Sequence, residues 1–310
     1  MARQILPTSL GQLGLRPRSL CQRPLDTKRA FATASRRPGV LLSVELPEMS
    51  LSEQPHYVNY IAEQLKEYGI LKVNLGFPDR NSRCLQQLLF GFHKHHGHRL
   101  PIAHSASCGW FWDIRPTAVT FQSPSYQARS ETMEQFPWHT DCSYEEQPPR
   151  YFALQVLQPD RRGGGTFSLL GVGRLGTVLS PMTKAALMRP EYQIETPPEF
   201  IKDPTRRSLV GSVLEIGEGG PSDILMRYRE DIVTPLSEEA AGALNDLRDI
   251  LRNESIISKM VLRLSSADMP EGSILLVDNR RWLHSRTHVQ DPMRHLRRVR
   301  WDAVPFRSFT

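Results

Sequence analysis

Apolar positions along this chain fall into two textures. Between residues 41 and 97 they recur at helical spacing between two short runs. HYVNYIAEQLKEYG (56–69) puts Val58, Ile61 and Leu65 on one helical face, with Gly69 as a stop. NSRCLQQLLFGFHKHH (81–96) predicts a second amphipathic helix ending near Gly97, and LLSVELP (41–47) and ILKVN (70–74) read as strands. From about residue 101 the pattern changes to short β-like runs between turn signals. FALQVLQ (152–158) and SILLVDN (273–279) have strand length and composition, and DRRGGGT (160–166) is a Gly-rich turn joining two strands. LSEEAAGALNDLRDILRN (236–253) predicts one further helix with Ser237 as N-cap, and RHLRRVRWDAV (294–304) alternates as a last strand. Two helices followed by many short strands predict an α+β chain built on a jelly-roll-like double-sheet barrel.

Charge changes this picture only once it is located. The net charge of +6 is concentrated in residues 1–38, which hold eight Lys/Arg and a single acid, Asp26. The remaining 31 basic and 32 acidic residues nearly cancel, so bulk charge gives no support for a nucleic-acid surface. The Arg-rich, acid-poor leader ends RAFATASRRPG and has the composition of a mitochondrial transit peptide, cut near Phe31 to Ser35. The expectation is a disordered leader over 1–38, a mitochondrial (matrix) address with the cytoplasm as alternative, and one domain over 39–310. Nowhere does the chain contain the run of about 20 apolar residues that a membrane-spanning helix requires. Cys21, Cys84, Cys108 and Cys142 form no CxxC pair, which fits a reducing compartment.

Candidate chemistry begins with PWHTDCSYEE (137–146). His139 and Asp141 flank one residue, and in an extended strand such a pair shares a face. With 10 His and 33 acids in 310 residues, about one His-x-Asp/Glu arises by chance. A site of the two-histidine, one-carboxylate type needs a second imidazole, and His284 in LLVDNRRWLHSRT follows an apolar strand. Thr166 stands 25 positions beyond Asp141; Arg294 and Arg298 follow His284 by 10 and 14.

This ordered set, HxD…Thr…His…Arg, with GWFWDIRP (109–116) before it and DNRRWLH within it, resembles the iron(II)/2-oxoglutarate-dependent dioxygenases of the taurine dioxygenase-like (TauD/TfdA) family over essentially all of 39–310. The resemblance implies a double-stranded β-helix (jelly-roll, cupin-like) barrel with flanking helices. It implies Fe(II) on His139, Asp141 and His284, with 2-oxoglutarate and O2 as cosubstrates. It places the far carboxylate of 2-oxoglutarate on Thr166 and an arginine, Arg294 or Arg298, with Arg298 preferred. The other arginine of that face is left for an anionic substrate, and Arg297 points to the opposite face. Because relatives that halogenate lack the carboxylate, Asp141 implies hydroxylation or related C–H oxidation of a small molecule, releasing succinate and CO2. The alternative is a catalytically silent or 2-oxoglutarate-independent metal-binding barrel. Oligomeric state is not legible.

Weaker features have plainer readings. HKHHGHR (93–99) crowds four histidines at a helix end, but adjacent helical positions do not converge on one point. Trp110, Phe111 and Trp112 read as core; Asp113, Arg115, Tyr144, Glu145, Arg227 and Arg229 are possible pocket residues; Cys142 reads as a buried inert thiol. His104, His288 and His295 read as structural or exposed.

Overall fold

The computed structural model describes residues 41–102, 109–116 and 127–306. The leader and His104 lie outside the described residues.

A six-stranded sheet runs in the order Ser43–Leu46, Ile70–Leu75, Ser273–Asp278, Pro149–Gln158, His295–Ala303, Trp112–Ile114. A four-stranded sheet runs Val261–Leu264, Phe167–Gly171, Trp282–Arg286, Phe136–His139. Ile70, Phe152, Leu154, Leu169, Leu275 and Leu296, drawn from both sheets, form one buried cluster, so the sheets face each other as a double-stranded barrel. Every residue of Ser273–Asp278 is buried. That explains its unbroken apolar run: a strand covered on both faces has no polar side.

The two N-terminal helices cover the outer face of the larger sheet. Helix Pro55–Tyr68 starts on a proline, whose fixed φ suits the first turn, and buries Tyr57, Val58, Ile61, Ala62 and Leu65. It ends where the Gly69 N–H donates to the Leu65 carbonyl. Its apolar stripe packs with Leu85, Leu88, Leu89 and Phe92 of helix Arg83–His96 against Val73, Ile274, Leu276 and Trp301. Each Leu or Ile so buried stabilises the fold by about 1.5–3 kcal/mol, and Ile61→Asp would break that layer.

Residues 172–257 form an insertion whose buried cluster also takes in Cys142, Tyr144, Leu170 and Leu283. It contains the expected helix as Glu238–Arg252, with the Ser237 hydroxyl accepting from Ala240 N at 3.1 Å. It also contains two seven-residue helices, Val172–Val178 and Pro181–Leu187, which the apolar pattern did not announce.

The Gly-rich turn lies between strands Pro149–Gln158 and Phe167–Gly171, as expected. Its glycines answer a close approach. A Cβ on Gly164 would stand 2.6 Å from Gln290 N and 2.7 Å from the His288 carbonyl, and one on Gly165 would stand 3.1 Å from Arg294 Nε. Gly165 also has φ +62°, a conformation side chains rarely adopt. The turn therefore lies directly against the loop that delivers Arg294.

Candidate metal centre

His139 ends strand Phe136–His139, and antiparallel pairing sets it directly opposite His284 of Trp282–Arg286. The rings sit 4.1 Å apart between centroids. His139 stacks on Phe136, and His284 packs between Phe152 and Phe167 with centroids at 4.8 and 5.5 Å. The His139 Nδ1–H donates to the Pro137 carbonyl at 2.7 Å, which leaves the Nε2 lone pair free.

Asp141 reaches the same point by a different route from the one the spacing suggests. The strand stops at His139, so Asp141 stands in the following turn rather than on an extended strand. Asn279 holds that turn, accepting from Asp141 N at 2.7 Å and donating to the Asp141 carbonyl at 2.9 Å. Cys142 then adopts φ +54°. Thr140 turns away from the pair, its hydroxyl accepting from Tyr228 N at 3.1 Å. Asp141 Oδ1 lies 3.9 Å from His139 Nε2 and 3.6 Å from His284 Nε2. One ligand atom from each residue falls within 4.8 Å of the others, and all three residues are buried.

Electrostatics prepare this cluster for a cation. Burial drives the His139 pKa well below its ordinary value, with the neighbouring His284 adding to the effect, so the imidazole is neutral. Burial alone would raise the Asp141 pKa, but the Arg298 guanidinium, the contact with His284 and Arg300 outweigh it and hold the carboxyl ionised. Two imidazoles and one carboxylate on one side of a point are a donor set suited to Fe(II).

A cavity opens from the three residues toward Arg294, walled by Ile114, Phe152, Leu154 and Leu296. Arg294 and Arg298 both line it, although Arg294 precedes strand His295–Ala303 and a register shift follows it at His295/Leu296. Their situations differ. Arg298 Nη1 donates to Asp141 Oδ1 at 3.3 Å, lies 3.2 Å from Oδ2, and its guanidinium covers the Trp112 ring at 4.6 Å. Arg294 has no ion-pair or side-chain hydrogen-bond partner among the described residues, and burial pushes its pKa down to about 10, with Asp160 nearby partly offsetting this. Thr166 lies at the same end, its N–H donating to the Thr287 hydroxyl at 3.0 Å, but it does not line the cavity.

On the other side of Asp141 is a second chamber with Arg229, Arg298, Arg300, Tyr144 and Phe200 in its wall. Arg300 was missed in the sequence although a signal existed: it follows Arg298 by two along a strand, so both share a face. Its Nη1 contacts Cys142 Sγ and lies 4.0 Å from Asp141 Oδ2. Arg286, two residues beyond His284, donates to the carbonyls of Ser130, Thr132 and Glu134, fixing the segment that brings Ser130 into the cavity wall.

Other candidates fall elsewhere. Arg297 pairs with Asp113 at 2.7 Å on the opposite face, and Arg115 bonds His295 Nδ1 at 2.9 Å. Arg227 stacks on Phe306, away from the cavity. Trp110 and Phe111 pack in the helix layer, whereas Trp112 reaches the arginines. Glu145 pairs with exposed Lys202 at 2.9 Å. Cys142 is buried and its thiol pKa raised by that burial, and His288 is exposed beside Glu134.

The comparisons agree with this geometry. The sequence matches no family model. It is 26% identical over 150 residues to L-asparagine oxygenase of Streptomyces coelicolor, a match covering 48% of this chain and 41% of that relative's length. Among solved structures, asparagine oxygenase with Fe(II), 2S,3S-3-hydroxyasparagine and succinate superposes with a TM-score of 0.61 at 19% identity, covering 83% of this chain and 92% of that one. The non-haem iron oxygenase OrfP with Fe and α-ketoglutaric acid gives 0.59 at 16%, covering 83% and 93%. The fold is that of the taurine dioxygenase-like iron oxygenases. Among the described residues of this oxygenase-like chain, no helix is long and apolar enough to cross a membrane.

Proposed function

We propose that this chain is a non-haem iron(II), 2-oxoglutarate-dependent dioxygenase that oxidises a C–H bond of a small organic molecule. The observation that carries this reading is the convergence of His139, Asp141 and His284 within 4.8 Å at one end of a cavity whose other end holds a buried arginine with no salt bridge among the described residues.

His139 Nε2, His284 Nε2 and Asp141 would hold the iron, leaving its remaining positions facing the cavity. Bound iron supplies O2 activation and the two-electron oxidation of substrate and cosubstrate. In balance, substrate C–H, 2-oxoglutarate and O2 become C–OH, succinate and CO2. Arg294 is the favoured anchor for the far carboxylate of 2-oxoglutarate, in place of Arg298. A planar guanidinium grips a carboxylate with two parallel hydrogen bonds, and Arg298 is already engaged with Asp141. Thr166, on the turn that touches Arg294, would take part through its hydroxyl. Burial of the arginine in an apolar wall strengthens that grip and excludes water from the reaction.

The test is release of succinate and CO2 from 2-oxoglutarate by Fe(II)-loaded protein, stimulated by substrate and lost in His139→Ala. Iron binding without 2-oxoglutarate turnover under any condition would overturn the reading. The composition of residues 1–38 supports a mitochondrial address. Fusion of those residues to a fluorescent protein is expected to direct it to mitochondria, and uniform cytoplasmic signal would refute that.

A further inference from the structure

The second chamber has an unusual charge content. Of the described residues around it, Arg129, Arg229, Arg298 and Arg300 are cationic, and Asp141 is the only acid. Asp141 belongs to the proposed iron site, so its charge is committed there. Asp231, just outside, is shared by Arg229 at 2.8 Å and Arg129 at 3.2 Å. Glu131 is buried close by, but both its oxygens are taken: Oε1 accepts from Trp112 Nε1 at 2.7 Å and Oε2 from Ala128 N at 3.2 Å. Glu145 is turned outward to Lys202. Segments 103–108 and 117–126 contain no Asp or Glu in their sequence.

A ligand ammonium entering this chamber would therefore meet guanidinium groups and iron without a carboxylate to receive it. A buried charge without a counter-charge is strongly disfavoured, and like charges add to the cost. An anion meets the reverse situation, because the four arginines of the wall carry more charge than Asp141 and Asp231 offset, even with the Arg229 fork bidentate on Asp231. The aromatic pair Tyr144 and Phe200, stacked with centroids 5.2 Å apart, gives an apolar surface for a carbon skeleton. The chain thus parts from structures of its own fold that hold hydroxylated asparagine and hydroxylated arginine, both amino acids.

We propose that the prime substrate is an organic acid with no free ammonium group, its carboxylate facing the Arg229 and Arg300 side of the wall and its carbon skeleton lying against Tyr144 and Phe200. This rests on the dioxygenase reading above, and the test separates the two. Anaerobic protein loaded with Fe(II) and saturating 2-oxoglutarate is expected to show the visible charge-transfer band of that complex before any substrate is added; its absence refutes the dioxygenase reading, and the substrate assignment falls with it.

With the band present, matched pairs are titrated: 4-methylpentanoate against leucine, 3-phenylpropanoate against phenylalanine, adipate against 2-aminoadipate. At least one acid is expected to shift the band with an apparent Kd tenfold or more below that of its amino partner. Equal or tighter binding of the amino partners, or no shift with any acid, overturns the substrate class while leaving the cosubstrate reading intact. Two variants add independent readouts. Arg229→Gln is expected to weaken acid binding at least tenfold with the 2-oxoglutarate band unchanged. Ser130→Asp places a carboxylate in the chamber wall and is expected to move the acid-to-amino preference at least tenfold toward the amino acids. An unmoved preference in a folded Ser130→Asp protein counts against the proposal.

Discussion

Two regions of this molecule are rich in histidine, and only one is built to hold a metal. His93, His95, His96 and His98 crowd the end of helix Arg83–His96, yet three of them have separate occupations. His93 Nδ1 lies 2.7 Å from the His98 carbonyl, His96 Nε2 is 2.9 Å from Asn59 Oδ1, and His98 stacks on Tyr151 with centroids 5.0 Å apart. At the barrel, His139 and His284 are 145 positions apart in sequence and stand face to face because strand register pairs them. The difference is one of convergence. Density along the chain scatters side chains around a helix, whereas pairing between strands aims them at one point.

The strongest way to break this comparison is to remove one imidazole from each region. His139→Ala or His284→Ala is expected to abolish Fe(II) binding and 2-oxoglutarate turnover, while His95→Ala and His96→Ala leave both unchanged, as read by metal titration and succinate release. Loss of activity in the helix variants would dissolve the distinction. Next in size is Arg294→Met, which removes the charge-assisted grip proposed for 2-oxoglutarate, counted as the net loss of one bond to a charged group. At about 1.5–3 kcal/mol for bonds to charged groups, KM for 2-oxoglutarate should rise roughly 10- to 100-fold, with iron affinity retained. An unaltered KM would move the anchor to Arg298.

Asn279→Ala sharpens the account of Asp141 rather than of the histidines. The variant frees the turn that Asn279 holds from both sides, and iron affinity should fall by about 10- to 100-fold, the usual scale for residues that orient ligands. Unchanged affinity would show that the turn holds itself. The smallest effect concerns the helix end. Burial is the main cause that pushes His98 down to about 4, and its Nδ1 accepts from Trp301 Nε1 at 3.1 Å as a neutral ring. Between pH 6.5 and about 4 the unfolded chain then binds more protons at this residue than the folded one, so stability drops as pH is lowered through that window. His98→Phe should remove about 1 kcal/mol of that loss at pH 5, seen as a shallower decline of Tm between pH 7 and 5. An identical decline in both proteins would rule out His98 as its source.

Much of this was legible in the chain itself. The amphipathic stripes of the first two helices, the Ser237 cap and the continuous apolar strand at 273–278 all follow local periodicity that packing then reinforces. His139, Asp141 and His284 were legible as types and spacings. Their convergence was not, because it depends on the register between two strands and on a turn pinned by Asn279, a residue 138 positions away. Spacing preferred Arg298 over Arg294 as the anchor, whereas the ion pair to Asp141, invisible in sequence, sets Arg298 apart. The two short helices at 172–187 escaped detection because each buries only three residues, too few for a periodic signal.

Strand Trp282–Arg286 carries two duties within three residues. His284 presents an imidazole to the proposed iron, and Arg286 ties down the carbonyls of Ser130, Thr132 and Glu134. Whatever steadies the first residue steadies the second, so the backbone near 130–134 becomes a remote indicator of the centre's state. Amide hydrogen exchange there should slow when iron loads, giving a measure of occupancy that needs no substrate and no turnover.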